Sequence, residues 1–152
     1  MIEQLDFKTK HFNELQAVFG EEHIHKNIES TFDFIQIATK GINANIIKNF
    51  RDYFGLSLNQ TAKMLDVSEP SIYRWSKSNK KLDRNVAVKL FEISELFFFG
   101  IEVFGNKDNF YKWLDLPNIA LGGIQPRELI DIPEGITKVK DLIGRIEYGI
   151  FS

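Results

Sequence analysis

The chain has 152 residues, 43% of them apolar, a formal net charge of −2 and no cysteine. That length suits one compact domain or two small ones, with enough apolar residues for a real core. The lack of cysteine excludes disulfides and cysteine-based zinc sites, and the longest apolar run, Leu96 to Ile101, is far short of the ~20 residues that span a bilayer.

Met1 to Asp6 have neither the basic start nor the apolar core of a signal peptide, so a cytoplasmic protein without a membrane role is expected. Phe12, Leu15, Val18 and Phe19 keep helical spacing up to a stop at Gly20, and the rest of residues 1–29 reads as a mobile N-terminal arm. His23 and His25 stand two apart, which suits a loop or strand, and a solvated polar stretch is preferred to a metal site. Ser30 or Thr31 caps a helix through Lys40, ended by Gly41 and lined by Phe34, Ile35 and Ala38. A second helix, from about Asn43 to Phe54, turns Ile46, Ile47, Phe50 and Phe54 inward.

Residues 57–91 are the basic part of the chain. They carry seven Lys or Arg against Asp66, Glu69 and Asp83, a net of +4, whereas residues 1–56 carry −2 and residues 92–152 carry −4. Such asymmetry speaks to partners rather than to fold. Leu58, Thr61, Ala62 and Leu65 have inward spacing, small Ala62 permits a close helix crossing, and Asp66-Val67-Ser68 forms a turn. Asp66 stands where a glycine is usual and tolerates the left-handed backbone. Ser68 caps a second helix from Glu69 to Lys77, with Pro70 in its first turn and Ile72 and Trp75 inward. This is a helix-turn-helix pattern. Its second helix is the one that enters the major groove, and Ser71, Tyr73, Arg74 and Lys77 lie on the outer face. Arg74 has the geometry to read a guanine, while Lys77, Lys80 and Lys81 suit phosphates. So few cations per subunit call for a dimer on DNA. The bland reading of the same residues is a helical hairpin with solvated lysines.

From Arg84 to Phe104 a long helix is apolar on nearly every side, which predicts burial all round at a domain centre or subunit interface. Asp108 to Leu114 form a short helix, 115–125 an irregular loop, Pro126 to Ile130 another short helix, and 137–148 the last one. Ile130 to Ile132 is the nearest thing to a strand, so the class is all-α, with a helix-turn-helix domain at 30–91 and a helical C-terminal domain at 92–152. Gly122-Gly123 permits an unusual backbone conformation or a close approach. Ile150, Phe151 and Ser152 make an apolar end that needs burial in its own domain or in a partner.

Phe104-Gly105, Trp113-Leu114, Pro117-Asn118, Leu121-Gly122-Gly123, Pro126, Gly135 and Arg145 to Gly149 together resemble the C-terminal domain of the Xre/MbcA/ParS antitoxin family, and the resemblance extends over roughly residues 31–152. It implies a small helical domain that packs on a RES-domain toxin, an NAD-degrading enzyme, and blocks its active site. The residues it points to are Leu121, Gly122, Gly123, Pro126, Arg145, Tyr148, Gly149, Ile150, Phe151 and Ser152. Arg145 has a structural alternative, pairing with Glu147 or Asp141. The expected partners are the toxin, operator DNA, and a second copy or a larger assembly with toxin; no cofactor is expected. No nucleophile stands beside a His/acid pair, and Gly122-Gly123 lacks the Lys and Ser/Thr of a phosphate loop, so an enzyme is not expected. The rival reading is a free-standing helix-turn-helix regulator whose C-terminal domain dimerises or senses a ligand.

Overall fold

The computed structural model describes residues 11–149. Its helices are α1 (Phe12–Phe19), α2 (Thr31–Lys40), α3 (Ile46–Phe54), α4 (Leu58–Leu65), α5 (Glu69–Ser76), α6 (Arg84–Phe104), α7 (Lys107–Leu114) and α8 (Pro133–Glu147). Two 3-10 turns, Ile119–Leu121 and Pro126–Leu129, interrupt the stretch between α7 and α8. There is no strand among the described residues, only the isolated bridges Asn43–Lys81 and Asn118–Ile124. The chain divides into two compact units between Ser94 and Glu95.

The first unit is built by amphipathic periodicity. Ile46, Ile47, Phe50 and Phe54 form one buried stripe of α3, and Leu15, Val18 and Phe19 of α1 pack against that helix. Each such side chain contributes about 1.5–3 kcal/mol on burial. Phe34 of α2 stacks on Phe91 at 4.4 Å and meets Phe19 edge-on at 5.0 Å, so α1 and α2 close over the start of α6 through aromatic contacts. The expected helix brings Leu15, Val18 and Phe19 into the core, and residues 20–29, where the sequence suggests an arm, add Ile24 and Ile28. The Gln16 amide holds the turn that follows by donating to the Ile24 carbonyl at 2.7 Å.

The second unit is organised around the end of α6. Phe97 and Phe110 meet edge-on at 5.4 Å, and Phe104 lies 5.3 Å from Trp113. Gly100 is required there, because a Cβ would run into the Phe110 ring. Helix α8 starts at Pro133, earlier than the expected 137, so Gly135 lies in its first turn. Its backbone passes so close to the Leu129 carbonyl that no side chain fits. The Ile130–Ile132 fragment is a turn into α8, not a strand.

Every apolar side chain of α6 is buried or half-buried within a single chain. Of the two settings its composition suggests, a domain centre accounts for most of this burial, with Val86, Val88, Phe99, Ile101, Val103 and Phe104 left half-buried. Glu92 and Glu95 also lie along it half-buried, and desolvation pushes both carboxyls above their ordinary range. For Glu95 the nearby Lys140 ammonium offsets part of that.

Candidate functional site

Local capping sets the angle between α4 and α5. Ser57 and Gln60 form a reciprocal capping box at the start of α4, with bonds of 3.0 and 2.9 Å. Asp66 ends α4 in the left-handed conformation, at φ 56° and ψ 48°, in the place a glycine would take. Ser68 caps α5 by accepting from the Ser71 amide at 3.2 Å. Thr61, Ala62, Leu65 and Ile72 are buried as their spacing predicts, while Leu58 and Trp75 are only half-buried. Met64, which the spacing did not single out, is buried too, and Asn59 donates to Glu69 at 3.3 Å from one helix to the next.

The outer face of α5 carries the expected residues. The Ser71 hydroxyl lies 2.8 Å from that of Ser68 and accepts from Arg74 at 3.4 Å, so the cap also steadies the guanidinium. Lys77 donates to the Tyr73 hydroxyl at 2.6 Å and sits 4.3 Å from the ring centroid. That hydrogen bond, with the ammonium's charge, lowers the phenol pKa from its ordinary value. Tyr73 is 56% exposed.

Lys80 and Lys81 lie on a strap that folds back on the start of α3. The Ala44 amide donates to the Lys80 carbonyl at 2.8 Å, and Leu82 donates to the Ile42 carbonyl at 2.7 Å. Lys81 lays its stem across Gly41 (φ +112°), and its ammonium donates to the Lys40 carbonyl at 3.0 Å, at the negative end of α2. Lys80, by contrast, presents an exposed side chain, and its amide is held by the Ser78 hydroxyl at 3.0 Å.

In the second unit the resemblance singles out residues in three different settings. Leu121 ends a 3-10 turn, and Gly122 and Gly123 follow at φ +69° and +89° with no other atoms near. Their need for glycine is thus conformational and not a matter of close approach. Pro126 is buried. Arg145 and Tyr148 lie on the exposed side of α8's end, where Gly149 turns left-handed at φ +74°. Arg145 makes no ion pair with Glu147 or Asp141 among the described residues. A shallow groove runs past Phe99, Lys140, Asp141, Gly144 and Arg145 to Tyr148. Ile150, Phe151 and Ser152 lie outside the described residues.

The segment from Leu116 to Ile124 is the part of the surface that sequence reasoning underrated. Asn118 organises it. Its side chain accepts from the Ala120 amide at 2.9 Å, its carbonyl accepts from Leu121 and Gly123, and its own amide donates to the Ile124 carbonyl at 3.1 Å. Ile119 is consequently held out at 92% exposure, with Leu116 at 61% and Ile124 at 43%. Behind the loop Arg127 anchors Asp115 at 2.6 Å and lies 5.4 Å from the Tyr111 ring. Burial raises the Tyr111 phenol well above its ordinary pKa, against the opposing charge of Arg127. The signal for this surface was present in the sequence as three apolar residues in a loop with paired glycines.

His23 lies 3.4 Å from Glu22, and with His25 it lines a cleft of about 540 Å³ between residues 22–29 and α2. No group of three or more His, Asp or Glu side chains suited to a metal occurs among the described residues. No helix there is long and apolar enough to cross a membrane.

Comparison with known proteins matches both units. Residues 33–95 match the antitoxin Xre-like helix-turn-helix domain, and residues 100–149 match the antitoxin Xre/MbcA/ParS C-terminal toxin-binding domain. A protein of Photorhabdus laumondii described as antitoxin Xre is 23% identical over 117 residues, covering 76% of this chain and 79% of that protein. A second protein so described, from Yersinia enterocolitica, is 40% identical over 48 residues, 32% of each chain, so that likeness speaks for one stretch only.

Proposed function

The chain belongs to the Xre/MbcA/ParS antitoxin family, and on that premise we propose that it occludes a RES-domain, NAD-degrading toxin and represses its own operon by binding operator DNA. Such a chain is a type II antitoxin with a helix-turn-helix and a toxin-binding domain. The observation that carries the rest is the pairing on one chain of an outward Tyr73-Arg74-Lys77 face with a second unit that exposes apolar side chains.

The mechanism is occupancy, not catalysis. On DNA, Arg74 reads a base edge from the last turn of α5, with Ser71 steadying it, while Lys77 and Lys80 meet phosphates. Lys81 acts less as a free phosphate contact, since its ammonium is engaged at the end of α2. Two copies side by side supply the phosphate contacts that one lacks. On the toxin, the end of α8 and the residues after it, Arg145 and Tyr148 to Ser152, border the active site and keep its nucleotide substrate out.

The test is co-expression with the RES-domain protein of the neighbouring gene, reading growth and cellular NAD. The intact chain is expected to protect. A chain ending at Gly144 is expected to lose protection and to keep shifting promoter DNA. Full protection by that truncation would overturn occlusion by this end. A chain that shifts promoter DNA but captures no RES-domain protein would be a free-standing regulator instead.

A further inference from the structure

Seven large apolar side chains are strongly exposed among the described residues, and five of them (Leu116, Ile119, Ile124, Ile132 and Tyr148) lie within the matched toxin-binding domain. Three of the five belong to the single loop that Asn118 closes, and Ile119 at its tip is the most exposed of all. The fold spends several backbone hydrogen bonds and two left-handed glycines on a loop whose tip packs against nothing of its own. A rigid loop that already holds its apolar tip in solvent loses little freedom on binding.

The surroundings say what covers it. Leu116 lines a shallow groove with Asp108, Lys112 and Asp115, and residues 95–152 carry six Lys or Arg against nine Asp or Glu, a net of −3. Two such faces brought together as copies of this chain would repel, whereas an apolar socket with a basic rim would be attracted.

We propose that Leu116, Ile119 and Ile124 form the anchor by which the toxin is captured, Ile119 entering an apolar socket rimmed by basic side chains on the toxin. Capture and occlusion are then separate tasks: this loop supplies affinity, and the end of α8 with the residues after it blocks the active site. The inference rests on the chain being the antitoxin of a RES-domain toxin.

The experiment measures the affinity of the full-length chain for the neighbouring gene's RES-domain protein, made catalytically inactive so that it can be produced. Ile119→Asp is expected to weaken binding about 30-fold or more, the size of an interface hot spot, and Ile119→Leu to stay within about threefold. The Ile119 side chain is almost wholly exposed, so the melting temperature should barely move. Phe32→Asp, at an exposed apolar position of the first unit, should bind toxin like the wild type. A chain ending at Gly144 should still capture toxin while failing to protect cells. Wild-type affinity in Ile119→Asp would overturn the anchor. So would a wild-type dimer that Ile119→Asp splits without changing toxin affinity, since the loop would then serve self-association. A wild-type chain that captures no toxin removes the antitoxin–RES reading together with the anchor.

Discussion

At the scale of single residues, the proposed function assigns Arg74 of α5 and Lys80 of the strap two different kinds of DNA contact. Arg74 is steadied by Ser71 and projects from the outer face, so Arg74→Ala should weaken operator binding by about 1–3 kcal/mol and relax the preference at one base pair. Lys80 is exposed on the strap, so Lys80→Ala should weaken all sequences alike and lower the salt slope by about 1. Gel-shift titrations on promoter and random DNA across a salt series distinguish the two. If both folded variants bind like the wild type, the α5 face is not the DNA surface. Glu95 offers a test of the core. Burial holds its carboxyl above the ordinary range, so the charged form is penalised in the folded chain and stability is lost as pH rises through that raised pKa. Glu95→Gln should therefore raise the melting temperature at pH 7. Its advantage should shrink as pH falls into the carboxylate range, and a gain that does not depend on pH would point to packing instead.

At the scale of elements, capping and periodicity made the first unit legible. Ser68 as cap, Asp66 in the left-handed region and the Ile46–Phe54 stripe follow from residue chemistry within one or two turns. What escaped was what distance in the chain decides. Residues 21–29 look polar, yet Ile24 and Ile28 are buried, and no short-range pattern announces that. Lys81 reads as a free cation until the fold brings the Lys40 carbonyl to it. The start of α8 was misplaced because glycine ordinarily weakens a helix, whereas here Gly135 answers to the Leu129 backbone, a contact set by tertiary structure. Two substitutions in that one helix make the point measurable. Gly135→Ala should destabilise by about 1–3 kcal/mol or more, because backbone cannot move aside as a side chain can. Gly144→Ala meets open space at an ordinary helical backbone and should stabilise by about 0.5–1 kcal/mol. Thermal or urea unfolding gives both signs; equal shifts would mean that the Leu129 contact does not decide.

At the scale of the whole molecule, the expected pairing of two copies does not require α6, whose apolar side chains are buried or half-buried within one chain. It rests on the small number of cations that one α5 face offers to DNA. Light scattering should accordingly show dimers on operator DNA, with two chains per site. One chain per site at saturation would contradict this. Helix α6 has another consequence. It runs unbroken across the point between Ser94 and Glu95 where the two units divide, so each unit takes part of its core from the same 21-residue helix. A cut at that point severs a helix in mid-course and strips its new ends of backbone partners. A cut after Phe104 leaves Leu96, Phe97 and Phe98 with the wrong fragment. The two halves are therefore poor candidates for exchange by recombination. A lineage of such chains would acquire a new toxin by replacing side chains at the surface one at a time, keeping the old helix-turn-helix half throughout.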